Sequence, residues 1–132
     1  MHVASREDSS SLLPLGSKQK SLFDMDEVGT VTVPVRRLDG VFDEIERPSL
    51  LKIDVQGFEY EVLLGAAGIL SRIDRIYVEV SSVELYKGQH RADRIEAHLA
   101  DHGFRLVGRY NGYRDPLGTL VQEDALYMQT DG

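Results

Sequence analysis

The chain has 132 residues, 42% of them hydrophobic and 28% charged, with a formal net charge of −7 and no cysteine. This suits one globular domain with a real core, and it excludes disulfides, Cys-type zinc sites and thiolate catalysis. An acidic chain with dispersed basic residues gains no counterion release from phosphates, and no apolar run nears the ~20 residues of a membrane helix, so neither nucleic acid nor membrane is an expected partner.

The first residues, Met1 to Asp8, carry no apolar leader, so a cytoplasmic location is the default expectation. Residues 1–30 are polar and punctuated by Ser9-Ser10-Ser11, Pro14, Gly16 and Gly29, which reads as largely irregular chain. Val31 to Val35 alternates and is β-branched, which predicts a short strand placed at an edge by Pro34. Leu38, Val41, Phe42 and Ile45 follow helical spacing, with Pro48 ending the helix. Residues 49–55 form a nearly continuous apolar strand with Gly57 just beyond it, and a helix pattern runs from Phe58 to about Leu70.

Arg75 to Val80 is a second buried-type strand. Arg91 to His102 predicts an amphipathic helix with Ala92, Ile95 and Leu99 inward, Arg91, Asp93, Arg94 and Glu96 solvated, and Gly103 at its end. Phe104 to Tyr110 reads as a strand with one wet side. A loop containing Gly112, Pro116 and Gly118 leads to Ala125-Leu126-Tyr127-Met128, apolar on both faces and so placed inside a sheet. The order of elements predicts one α/β domain over 1–132, built in three layers, with its core in 31–132.

Period two puts Lys52 and Asp54 on one face of their strand, and Tyr77 and Glu79 on one face of theirs. Charges within apolar parallel strands are costly unless paired or near the carboxyl ends, where open α/β sheets bind ligands. Asp54 and Glu79 sit near two such ends and are expected to line one crevice. Two other uses are open: Asp54 as cap of the helix near Gly57, and Lys52 with Glu79 as a structural ion pair. Glu59, in a first helical turn, also suits the helix dipole. Gly65 and Gly68 suit close packing of their helix.

His98 and His102 lie one helical turn apart, a spacing that permits a shared metal, but no acidic partner stands at a zinc-protease spacing. With His90 they read as a solvated helix face, and no metal is expected. No serine sits in a Gly-x-Ser-x-Gly turn.

The window Leu51-Lys52-Ile53-Asp54-Val55-Gln56-Gly57-Phe58-Glu59-Tyr60-Glu61-Val62-Leu63-Leu64-Gly65-Ala66 resembles the signature of FkbM-type methyltransferases, K-I-D-V-E-G-x-E-x-x-V-L-x-G-A. It departs at Gln56, where the family usually has Glu. Val33 to Asp39, Ser9 to Leu12 and Ile76 to Val80 resemble further family segments. The resemblance implies a partial Rossmann-like class I sheet, mostly parallel with an antiparallel C-terminal strand, in the order four, five, seven, six.

It also implies methyl transfer from S-adenosylmethionine to a small-molecule or sugar hydroxyl. By the same resemblance Asp54 and Glu79 are catalytic, Asp54 also faces the cofactor, and Glu59, Lys52 and Ser10 bind substrate. From the residues alone Ser9-Ser10-Ser11 is a plain polar loop. The twelve glycines never occur as Gly-x-Gly, and nothing before residue 30 reads as a buried strand followed by a glycine turn. The donor-binding half is therefore expected to lie outside this chain, and a truncated, non-catalytic module is the alternative. Strand 50–55 becomes an edge, expected to be covered by Val31 to Val35, by the N-terminal segment, or by a second chain, whether another copy or a partner.

Overall fold

The computed structural model describes residues 1–130. In chain order the elements are β1 (His2–Ala4), α1 (Ser17–Phe23), β2 (Glu27–Thr30), β3 (Leu50–Ile53), α2 (Glu59–Gly65), β4 (Arg75–Ser81), α3 (Ala92–Asp101), β5 (Phe104–Arg114) and β6 (Leu120–Gln129). Short 3-10 turns lie at Glu7–Ser9, Leu38–Gly40 and Leu70–Arg72. None of the described helices is long and apolar enough to cross a membrane.

The strand patterning reads directly into burial. In β4, Ile76, Val78 and Val80 are buried while Tyr77 and Glu79 on the other face are half-buried. The buried row packs with Ile53, with Ala125 and Tyr127 of β6, with Leu63 of α2 and with Ile95 and Leu99 of α3. Each of the Val, Leu and Ile side chains among them contributes about 1.5–3 kcal/mol of burial. α2 and α3 thus share one face of the sheet. Gly103, at φ +82°, turns the chain out of α3 into β5.

The sheet order is β3–β4–β6–β5, the order the resemblance implies. Its directions also follow: β3–β4 is parallel, and the reversed C-terminal strand makes β4–β6 and β5–β6 both antiparallel. β6 returns between β4 and β5, so β5 runs the same way as β4 without touching it. The apolar run at 125–128 is accordingly interior to the sheet. The expected three layers are incomplete. Lys52, Tyr77, Glu79 and Asp124 face away from α2 and α3, and α1 adjoins that side only at the carboxyl end of β3 and β4, through Gln19 and Phe23.

Residues 1–30 are not irregular. β1 pairs antiparallel with β2, and α1 lies between them in sequence. Ala4, Leu15 and Met25 join Leu85, Tyr86 and Val121 in a second small core. This unit is latched to the loop after β4 by the Gly16 N–H, which donates to the Leu85 carbonyl at 2.7 Å. A Cβ on Gly16 would lie 2.6 Å from that oxygen, so only glycine permits the approach.

The strand expected at Val31 to Val35 forms four residues earlier, as β2, where β1 offers a partner; Val31 and Val35 are exposed. The helix expected over 38–45 shrinks to the turn Leu38–Gly40, and the one over 58–70 breaks into α2 and the turn Leu70–Arg72. The second break has a cause in packing. The Gly68 N–H donates to Asp39 at 3.0 Å, and a Cβ there would lie 3.1 Å from the Asp39 side chain. Glu96 is not free in solvent either, since Arg109 pairs with it at 3.0 Å.

Among the described residues no strand pairs with the outer edge of β3, so neither Val31 to Val35 nor the N-terminal segment covers it by strand pairing. A groove of about 740 Å³ runs along that edge, lined by Leu12, Val35, Leu51, Val55, Phe58 and Val62 among others.

Candidate active site

β3 and β4 run side by side and end together, with Ile53 opposite Val78. One residue further on, Asp54 and Glu79 stand beside each other on the same face. They line one cavity of about 360 Å³, walled also by Asp8 and Ser9, by Gln19, Phe23 and Met25 of the α1 region, and by Gln56 and Gln122. The expected crevice is therefore present. It is polar and rich in acceptor oxygens, with Arg6 as its cation.

Glu79 is half-buried and has no hydrogen-bond donor among the described residues. Burial, and then the charges of Asp54, Glu59 and Asp124, push its carboxyl up to about 7. Lys52 pulls the other way, as the weakest influence. The alternative ion pair is absent, because among the described residues no carboxylate lies within ion-pair distance of Lys52.

Asp54 is exposed and accepts from the Gln56 side-chain amide at 3.0 Å. It caps no helix: α2 begins at Glu59 behind Phe58, without a side-chain cap. The residue that closes the turn is Glu59. Its carboxylate accepts from the Val55 N–H at 3.3 Å and the Gly57 N–H at 3.1 Å, and the residue is 2% exposed. Burial raises its pKa against the pull of those backbone bonds. Glu59 thus closes the turn.

Ser10 and Lys52 line the groove along β3 rather than the cavity. The Ser10 hydroxyl accepts from the Ala4 N–H at 3.2 Å. Its neighbour Ser9 is the serine at the cavity, and the buried Ser11 hydroxyl donates to the Gln56 carbonyl. Sequence reasoning brought Asp54 and Glu79 together correctly, but it missed Gln19, Gln56 and Tyr86. Gln56 stood in view as the one departure from the signature. Gln19 carried no signal, since a lone glutamine in a polar stretch has no periodicity to betray it.

The turn 54–58 offers few free backbone N–H groups. Here those of Val55 and Gly57 are taken by Glu59, and a Cβ on Gly57 would meet the Tyr86 ring at 2.9 Å. The glycine, at φ +99°, makes room for Tyr86. The described residues put carboxylates and side-chain amides at the cavity.

The histidines are less solvated than their spacing suggested. His98 stacks on His102 with ring centroids 4.4 Å apart, Tyr60 packs against both His90 and His98, and the His98 Nε2 is buried without a partner. Among the described residues no group of three or more His, Cys, Asp or Glu is placed to hold a metal.

Comparison with known proteins gives the family. The profile of the methyltransferase FkbM domain matches residues 2–106. The chain is 41% identical over 63 residues to the 2-O-methyltransferase NoeI of Sinorhizobium fredii, a stretch that is 46% of this chain and 26% of that protein. It is also 41% identical over 100 residues to the AMB antimetabolite synthetase AmbE of Pseudomonas aeruginosa, 74% of this chain but 4% of that protein. The chain thus spans a small part of the length of either relative. No solved structure matches it at a significant level.

Proposed function

The chain belongs to the FkbM methyltransferase family, and on that premise we propose that its carboxylate-lined cavity is part of a methyltransferase centre acting on a hydroxyl of a small molecule or sugar, with Asp54 reached by donor and acceptor alike. The observation that carries this reading is the pairing of Asp54 and Glu79 on one cavity at the carboxyl ends of adjacent parallel strands. S-adenosylmethionine, when bound, supplies an activated methyl group.

What this chain contributes is position and a proton acceptor. Methyl transfer depends on proximity and in-line alignment more than on a strong base. Glu79, with its carboxyl near 7, is substantially ionised around neutral pH and takes the acceptor's proton as its O–H bond breaks. Asp54, pinned by Gln56, accepts a hydrogen bond from the acceptor or from the donor's polar end. Phe23 and Met25 keep one wall of the cavity apolar and limit water.

Calorimetric titration of the purified chain with S-adenosylhomocysteine tests the reading. Saturable one-site binding, weakened at least tenfold (~1.4 kcal/mol) by Asp54→Ala, is expected. Absence of binding at millimolar ligand overturns the assignment of methyl transfer to this chain alone.

A second reading has its own observation, the free β3 edge with Leu50 61% exposed beside it. Sheet edges left open invite pairing, and three of the four residues of this one, Leu50, Leu51 and Ile53, are apolar. In this reading the chain is a non-catalytic module that acts through a partner chain or a second copy seated on β3. Sedimentation over a range of concentrations decides self-association: a species of constant 14.8 kDa mass rejects a second copy.

A further inference from the structure

We propose that Gln56 and Tyr86 are positioning residues, which hold the Asp54 carboxylate at the cavity through a hydrogen-bond chain of single polarity that begins at Gln19. The proposal rests on Asp54 being a site residue, as argued above.

Three contacts define the chain. The Gln19 Nε2 donates to the Tyr86 hydroxyl at 3.3 Å, the Tyr86 hydroxyl donates to the Gln56 Oε1 at 3.0 Å, and the Gln56 Nε2 donates to the Asp54 Oδ1 at 3.0 Å. An ionised carboxylate only accepts, so Gln56 must turn its nitrogen toward Asp54. Its oxygen then faces Tyr86, whose hydroxyl must donate, and the lone pair left on that hydroxyl takes the Gln19 N–H. Every link therefore points at Asp54, the arrangement in which successive hydrogen bonds strengthen one another. The Ser9 carbonyl, 2.9 Å from the same hydroxyl, shares the proton.

The surroundings fix each member of the chain. Gln56 lies in the left-handed region at φ +51°, and Ser11 holds its carbonyl. The Tyr86 ring packs on the Cβ-less face of Gly57. The Tyr86 N–H donates at 3.2 Å to Gln89, whose own amide donates to Ser81 at 3.0 Å. Asp54, by contrast, is exposed and has no other donor among the described residues. Without Gln56 nothing restrains its side chain. The three supporting residues come from α1, the β3–α2 turn and the loop after β4, so Asp54 senses whether all three are docked.

NMR on the full chain tests this independently of any activity. Tyr86→Phe keeps the ring and removes only the hydroxyl. It is expected to shift the Gln56 side-chain amide protons upfield and to convert the Asp54 χ1 couplings from one rotamer to an averaged set. Gln56→Asn, which tolerates the left-handed backbone but cannot span the gap, is expected to do the same to Asp54. Unchanged Asp54 couplings in Tyr86→Phe, with the remaining spectrum intact, overturn the proposal. Where S-adenosylhomocysteine binds, Tyr86→Phe is expected to weaken it roughly fivefold, about the worth of one hydrogen bond, and to add nothing in an Asp54→Ala background; full additivity counts against the chain. A wild-type protein that does not bind sinks the functional reading, and the couplings still decide the positioning role.

Discussion

Glu79 and Asp124 are direct partners across the antiparallel β4–β6 pair, two carboxylates opposite each other on one face of the sheet. Like charges in that position destabilise a sheet, and the two are treated unequally. Asp124 accepts from the Tyr77 hydroxyl at 2.9 Å and from the Asn111 amide at 2.8 Å. Glu79 receives no donor among the described residues and is lifted to about 7 instead, by burial first and by Asp54 next.

That inequality sets a pH dependence. Glu79 binds its proton more tightly folded, at about 7, than at its ordinary 4.5. Its stabilising contribution is full below 4.5 and is lost as pH rises through 7. Glu79→Gln is expected to raise the urea midpoint relative to wild type at pH 8 and to leave it nearly unchanged at pH 4.5. Equal effects at both values reject the assignment.

His98 works in the opposite direction. Burial, and then the neighbouring His102, lower its pKa below the ordinary 6.5. The unfolded chain therefore takes up the proton first, and stability falls as pH drops below about 6.5. His98→Leu is expected to flatten the fall in melting temperature between pH 6.5 and 5, measured against wild type in the same buffers.

Gly16→Ala would drive a Cβ into the Leu85 carbonyl oxygen, a backbone atom that cannot swing aside. The N-terminal unit should lift from the loop after β4 while the four-stranded sheet survives. Hydrogen exchange checks this: protection is expected to drop at residue 16 and through α1, and to persist in β4 and β6.

Leu63 is fully buried in the middle of α2 against the sheet. Leu63→Ala removes its contacts and leaves a void, and it is expected to cost about 2–5 kcal/mol in denaturant unfolding. The solvent-facing Ala67→Ser should change stability by less than about 0.5 kcal/mol.

The sequence announced the elements whose burial is set by their own periodicity. The alternation of Ile76, Val78 and Val80 and the spacing of Ile95 and Leu99 lead straight to β4 and α3. The run at 125–128 betrayed its interior position by being apolar on both faces. Legibility failed where a partner decides the structure. Val31 to Val35 alternates as a strand should, yet β1 pairs with the less strand-like Glu27–Thr30, and a three-residue strand such as β1 is too short to show a period. The site divides the same way. Asp54 and Glu79 are conspicuous because charge is costly in a parallel strand, whereas Gln19 lines the cavity and meets Tyr86 behind it through a contact spanning 67 residues of sequence.

The return of β6 between β4 and β5 has a consequence for how the molecule assembles. β5 and β6 are joined by the loop 115–119 alone, so their hairpin closes little chain and is kinetically cheap, whereas β4 must find β6 across an intervening helix and a whole strand. The cavity draws Glu79 from β4 and Gln122 from β6, the pair that meets across the longer span. The hairpin can therefore form before the acidic cavity, which is complete only once β4 has paired with β6.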